Sequence, residues 1–374
     1  MDIAIREIMR IAQVAPLHES VPPRSYGGTE RVVSYLTEEL VKLGHDVTLF
    51  ASGDSVTAAK LIPACPRSLR LDSNCRDRMA HLTVLLDLVF EHAREFDMIH
   101  FHIDYAHYPF SCRQKLHHVT TLHGRLDLVD LVPLYRRFAT VPLVSISNAQ
   151  RKPFPRLNWQ GTVYHGLPQE LYTFRAQPGK YLAFLGRISP EKRVDRAIEI
   201  AKRSGLHIKV AAKVDPVDEQ YFQEKIKPLM NDSCCEFLGE IEQHEKADFL
   251  GNALALLFPI DWPEPFGLVM IEAMACGTPV IAYAEGAVPE IVRHGHDGFL
   301  VDNLEDAVRA VNQLHTLNRR ECRASFETRF SARRMTLDYL NVYQTLLASS
   351  FARMPDHLPS ANGDLLTVSP AATR

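Results

Sequence analysis

The sequence predicts an α/β protein made of two consecutive parallel-sheet domains. Three observations carry that prediction. Short apolar runs alternate with helix-period segments almost from end to end, the pattern of parallel strands joined by crossover helices. The alternation breaks once, over residues 168–179, where Pro and Gly interrupt a poorly periodic stretch, and then restarts. Finally, 374 residues exceed what one hydrophobic core usually serves.

In the first half, strands are expected at residues 10–14, 47–51, 98–102, 119–123, 143–147 and 162–165. The clearest helix spans residues 29–43, where Val32, Val33, Leu36, Leu40 and Leu43 recur at helical spacing and Gly44 follows as a stop. In the second half, strands at 181–185, 207–211, 236–238, 255–258 and 280–283 alternate with helices near 191–204, 219–230, 244–252 and 267–276. Helices near 304–317 and 331–347 follow. The tail from Met354 lacks periodicity and is expected to be mobile. The expected division is 1–170, 171–330, a returning helix at 331–352 and a tail at 353–374.

Composition excludes several classes. With 46% hydrophobic residues the chain reads as folded, and 42 basic against 45 acidic residues give no case for nucleic acid as the main partner. Seven cysteines form an odd set without a CxxC pair or a metal-like spacing to histidine, which fits free thiols in a reducing cytosol. The first six residues are too short and charged for a signal peptide, and no apolar run approaches the roughly 20 residues of a membrane span. A cytoplasmic protein is expected, with Met1 and Met9 both available as starts.

Three segments carry the chemistry. Gly27 and Gly28, in Tyr26-Gly27-Gly28-Thr29-Glu30, stand at the mouth of the first helix, where paired glycines admit a ligand and helix N–H groups attract an anion. A tight turn is the competing reading, and the segment is not the dinucleotide fingerprint. Arg187 and Lys192 follow the first strand of the second half, where Arg187 can fork two phosphate oxygens and Lys192 can add a point charge. A solvated loop is the alternative. In Pro263-Glu264-Pro265-Phe266-Gly267-Leu268, two prolines stiffen a loop that holds a carboxylate before a helix N-terminus, suited to accept hydroxyl hydrogen bonds. Glu272 lies about two turns on in an apolar run, where a charge needs a ligand or a buried ion-pair partner.

Glu264 and Glu272, with seven residues between them, resemble the paired-glutamate motif of glycosyltransferase family 4. GGTE at 27–30, LGRISPEKR at 185–193 and PEPFGLVMIEAMACGTPVIA at 263–282 match that family's pattern in order, and the resemblance covers nearly the whole chain. It implies the GT-B architecture: two Rossmann-like domains facing across a cleft, with a C-terminal helix crossing back to the first. It implies that Arg187 and Lys192 hold a donor diphosphate, with Gly27 and Gly28 approaching from the first domain. Glu272 would bond ribose hydroxyls and Glu264 a sugar hydroxyl, while N–H groups of Phe266, Gly267 and Leu268 face sugar or phosphate. The turn from Gly239 to Ile241 would meet the base, and His123 would lie near the transferred sugar unless it is only a structural strand-end histidine. Ser147 and His165 are candidates on the acceptor side. Where family members often carry glycines after Ala211, this chain reads Ala212-Lys213-Val214.

The implied reaction is retaining transfer of a hexosyl group from a UDP- or GDP-sugar to an acceptor hydroxyl on a glycan, lipid or small molecule. The hydroxyl attacks from the leaving-group side, and a diphosphate oxygen helps to remove its proton. Arg187, Lys192 and helix N-termini supply the anion clamp. No Asp-x-Asp pair occurs, so no metal and no cofactor are expected. A nucleotide-sugar epimerase and a non-catalytic sugar-nucleotide binding protein remain competing readings. Peripheral membrane contact stays open through Arg67, Arg70, Arg76 and Arg78, or through Arg151, Lys152 and Arg156 with Phe154 and Trp159, although a solvated surface explains both. The oligomeric state is not readable.

Overall fold

The structure is a computed structural model that describes residues 8–24 and 27–352, with side chains through 349. The expectation for the tail at 353–374 lies outside the described residues, as do residues 1–7. The described residues form two compact units: one holds 8–23, 27–163 and 336–352, the other 164–335 with Arg24.

The first unit is a seven-stranded parallel sheet of β1 (Arg10–Val14), β2 (Asp46–Ser52), β3 (Lys60–Cys65), β4 (Met98–Phe101), β5 (His118–Thr121), β6 (Leu143–Ser145) and β7 (Trp159–Thr162). Its order is β3-β2-β1-β4-β5-β6-β7, the doubly wound order with its reversal between β1 and β4. Helices α1 (Gly28–Lys42) and α2 (Arg78–Glu91) flank it. Asp77 caps α2, its carboxylate accepting from the N–H groups of Met79 and Ala80.

The second unit repeats the design with β8 (Tyr181–Ile188), β9 (His207–Val214), β10 (Cys235–Gly239), β11 (Ala253–Phe258), β12 (Val280–Tyr283) and β13 (Gly298–Val301). The order β10-β9-β8-β11-β12-β13 places the reversal between β8 and β11. Around it lie α3 (Val194–Arg203), α4 (Gln243–Gly251), α5 (Leu268–Ala275), α6 (Leu304–Asn312) and α7 (Arg319–Arg329). The last helix, α8 (Ala332–Ala352), belongs to the first unit from Thr336 onward. Both sheets are therefore Rossmann-like, as the sequence predicts.

Several elements differ from expectation for definite reasons. The helix expected at 219–230 is broken into an α-turn at Glu219–Tyr221, a π-turn at Phe222–Ile226 and a 3-10 turn at Leu229–Asn231. Pro228 lacks the N–H to continue it. The strand expected at 162–165 is β7, earlier in sequence, because Trp159 and Thr162 are the residues in register with Leu143 and Ser145. β3, β13, α2 and α7 carry no strong periodic signal. On α7 the buried positions are Arg319, Cys322, Ser325 and Phe326, so polar residues mask the inner face. Arg319 is held there by donating to the carbonyls of Arg175, Gly251 and Ala253 and to Thr278 Oγ1, at 2.7–2.9 Å.

The basic segments proposed for a membrane surface are occupied in part, with Arg67, Arg76, Arg78, Lys152 and Arg156 exposed. Arg70 pairs with the buried Glu19, and Phe154 lies in the core with Tyr135 and Trp159. Arg151 donates to Ser145 Oγ at 2.7 Å and stacks over Trp159. Among the described residues no helix is long and apolar enough to cross a membrane.

Among the buried histidines of the first unit, His100, His107 and His118 lie outside any expected site. His107 stacks on Phe101 with ring centroids 3.6 Å apart, and burial pushes His100, His107 and His118 below the usual 6.5. Above that pH neither folded nor unfolded chain binds these protons; below it only the unfolded chain does, so stability falls as pH falls. His100 and His107 together should remove about 2 kcal/mol between about pH 6 and about pH 5. Urea unfolding of the first unit at several pH values measures this, and a flat profile over that interval would contradict it.

Candidate functional site

In open parallel sheets, ligands sit beyond the carboxyl ends of strands at the reversal of strand order. In the second unit that point lies between β8 and β11, and Arg187, Lys192 and Glu264 lie at or just beyond the ends of these two strands. Arg187 is the penultimate residue of β8, and Lys192 follows in a 3-10 turn at Pro190–Lys192 rather than in an α-helix. The helix expected from 191 begins only at Val194, because Arg193 adopts a left-handed conformation with φ 53°. The backbone N–H of Asp261 donates to the Glu191 carbonyl at 2.9 Å, tying this turn to the loop after β11.

That loop carries Glu264, 9% exposed. Its Oε2 accepts from Lys192 Nζ and, at 3.1 Å, from Trp262 Nε1. The Lys192 ammonium also lies over the rings of Trp262 and Phe258, 5.0 and 5.5 Å from their centroids. A cation, a carboxylate and an indole thus form one knot. Gly286 backs it: a Cβ there would come within 2.4 Å of the Glu264 backbone, so only glycine admits this approach. The Ala287 N–H donates to the Glu264 carbonyl at 2.9 Å.

Gly267, with φ 84°, caps the start of α5, leaving the first-turn N–H groups outside the intrahelical ladder. Phe266 is buried against the rings of Tyr164, His165 and Phe330. His165, expected on the acceptor side, thus packs within the second unit. On α5, Glu272 is 3% exposed and accepts from Lys246 Nζ at 3.2 Å. Gly239 ends β10 with φ 74°, and Ile241 is half-buried two residues on.

The surroundings of Arg187 differ from a bare phosphate clamp. Its guanidinium faces Glu191 at 3.2 Å, Asp215 at 3.4 Å and Asp218 at 3.9 Å. Burial acts to raise the Asp215 carboxyl, but Lys213 and Arg187 outweigh it and hold the group below the ordinary range. Asp218 is raised, chiefly by burial. An anionic ligand at Arg187 therefore competes with carboxylates already in place.

In the first unit, Gly27 packs against Pro23 and Glu19, and Gly28 opens α1. Burial raises the Glu30 carboxyl one turn later. His123 lies two residues beyond β5, half-buried, its Nε2 2.9 Å from His102 Nδ1 and its pKa brought down to about 3 by desolvation. The neutral ring is therefore no acid at ordinary pH. Ser147 Oγ accepts from the Gln150 N–H at 3.1 Å, a local turn contact. Gln150 Nε2 donates to the carbonyls of Leu122 and Gly124 at 2.9 and 2.8 Å, bracing the backbone on both sides of His123.

Trp262, Lys246, Gln150 and Gln13 were not singled out by sequence. Trp262 adjoins the Glu264 motif, and Gln13 is a polar residue inside an apolar strand, so both left a signal. Lys246 did not, since 26 residues separate it from Glu272.

Known proteins match along most of the chain. The model for glycosyltransferase family 4 matches residues 26–187, and that for glycosyl transferases group 1 matches residues 173–329. An uncharacterized glycosyltransferase of Methanocaldococcus jannaschii is 26% identical over 276 residues, spanning 67% of this chain and 76% of that one. AviGT4, a glycosyltransferase involved in avilamycin A biosynthesis, superimposes with a TM-score of 0.70 at 24% identity, over 91% of this chain and 98% of that one. The Anabaena protein HepE, solved in complex with UDP-glucose, gives a TM-score of 0.66 at 18% identity, over 92% and 100% of the two chains. These two likenesses establish the fold.

Proposed function

The chain belongs to glycosyltransferase family 4, and from that premise we propose that it transfers a hexosyl group, with retention, from a nucleotide diphosphate sugar to an acceptor hydroxyl. The observation that carries this is the knot of Lys192, Glu264 and Trp262 beyond β8 and β11. Lys192 has three donors, so engaging Glu264 leaves it able to meet a phosphate oxygen as well. The first turn of α5 adds N–H groups and positive dipole on the same side of the sheet.

In this reading Glu272, paired with Lys246, accepts the ribose hydroxyls. Glu264 accepts a hydroxyl of the sugar. Arg187 exchanges Asp215 for a diphosphate oxygen when donor binds, and Gly239 and Ile241 line the base. The bond from the anomeric carbon to the diphosphate breaks as the bond to the acceptor oxygen forms, and the acceptor proton passes to the departing diphosphate. Lys192 and Arg187 stabilise the growing negative charge, the electrostatic contribution expected to dominate. The UDP-glucose found with HepE supports a UDP-sugar as the first donor to try.

The test is thermal-shift screening with UDP-, GDP- and ADP-sugars. A donor at about 100 times its Kd adds about 2.7 kcal/mol to apparent stability, which is about 5–10 °C in Tm for a unit of this size. The same donor should give no shift with Glu272→Ala, which deletes a charged hydrogen-bond partner. No shift from any nucleotide sugar in the wild-type protein would remove the proposal.

A further inference from the structure

His123 ends a chain of hydrogen bonds that runs inside the first unit to the last helix. Its Nε2 lies 2.9 Å from His102 Nδ1, and His102 Nε2 lies 2.9 Å from Gln13 Oε1. Gln13 Nε2 donates to the Tyr343 hydroxyl at 3.2 Å, and that hydroxyl is 2.7 Å from His100 Nδ1. The sequence builds this from three periodicities. His100 and His102 alternate with Phe101 along β4 and beyond its end, so both point to one face. Gln13 is in register with His100 on the neighbouring strand. Tyr339 and Tyr343 lie one turn apart on α8, and both reach the network, Tyr339 through Thr121 at 3.0 Å.

The polarity of the chain follows from chemistry. An amide oxygen has no proton to give, so His102 Nε2 must donate to Gln13. A neutral His102 then has only a lone pair at Nδ1, which must accept, so His123 Nε2 must donate. The Gln13 orientation sets the direction. It gives its N–H to Tyr343, whose own proton then turns to His100 Nδ1.

We propose that Gln13, His102 and Tyr343 are positioning residues for glycosyl transfer, which together hold the His123 imidazole as the tautomer protonated at Nε2. The direction of the ring dipole is thereby fixed before donor arrives, with its positive end toward His102 and its negative end at Nδ1. Desolvation keeps His123 neutral at working pH, so tautomer rather than charge is the property left to control. With Gln150 holding the carbonyls of Leu122 and Gly124, ring and backbone are both set. This rests on the reading of His123 as a neighbour of the transferred sugar.

The experiment labels histidine with nitrogen-15 in the full chain and records long-range proton–nitrogen correlations, with His123 assigned through the signal lost in His123→Gln. The wild-type protein is expected to show His123 protonated at Nε2. Gln13→Met, close in volume but without the amide, should give mixed tautomers and lower kcat about tenfold with donor KM nearly unchanged, the pattern of lost positioning. Tyr343→Phe is the milder variant, carrying the same readouts should Gln13→Met fail to fold. A wild-type His123 protonated at Nδ1, or variants with the tautomer unchanged, would overturn the relay. Because the spectra need no substrate, a shifted tautomer with unchanged kcat sinks the link to transfer without touching the assignment of the fold's donor side.

Discussion

Lys192→Ala is expected to lower turnover by two or more orders of magnitude, the scale of loss when a preorganised donor aimed at developing charge is removed. Two effects must be separated. Lys192 neutralises Glu264, whose carboxylate is nearly buried, so removing the cation leaves a charge held by Trp262 alone. Breaking a fully buried pair this way costs about 3–5 kcal/mol, and this partly exposed pair should cost less. Lys192 also faces the side where the diphosphate is proposed to bind. A double-mutant cycle with Glu264→Gln divides the two. If Lys192 served only as a counter-ion, it would cease to matter once Glu264 is neutral, and the double variant would turn over as fast as Glu264→Gln alone. The double variant is instead expected to regain stability in urea unfolding relative to Lys192→Ala and to be slower than Glu264→Gln alone.

Glu264→Gln by itself is the second large effect, about a hundredfold in kcat with donor affinity changed only a few-fold. The carboxylate oxygen Oε2 accepts from both Lys192 and Trp262, and that arrangement aims the rest of the group. An amide keeps one acceptor but brings two protons, so the indole and ammonium no longer meet a negative oxygen. Discrimination between donor sugars that differ in one hydroxyl should fall with it, because a site built to bond a hydroxyl rejects its absence strongly only while the partner is correct. Initial rates with a pair of epimeric donors measure this. Equal selectivity in wild type and variant would show that Glu264 faces no sugar hydroxyl.

What the sequence revealed and concealed has physical reasons. The parallel strands were legible because buried strands leave apolar runs, and β1 and β12 fall on the expected residues. Glu264 and Glu272 were legible because a carboxylate between prolines and a charge in an apolar helix both need explaining. The acid shell of Arg187 was concealed, since Asp215 lies 28 residues away and reaches it only through the pairing of β8 with β9. Lys246 was hidden the same way. The 219–230 helix failed because apolar periodicity was weighed above Pro228, and α7 was missed because its buried face carries an arginine. Local chemistry is written in neighbouring residues, whereas ion pairs across strands appear only once the sheet is formed.

The most direct test of the donor assignment is a crystal structure with UDP or a UDP-sugar bound. The account predicts the diphosphate within hydrogen-bond distance of Lys192 Nζ, the ribose hydroxyls on Glu272, and Arg187 turned from Asp215 to a phosphate oxygen. A nucleotide bound away from β8 and β11, with Lys192 still closed on Glu264 alone, would contradict it.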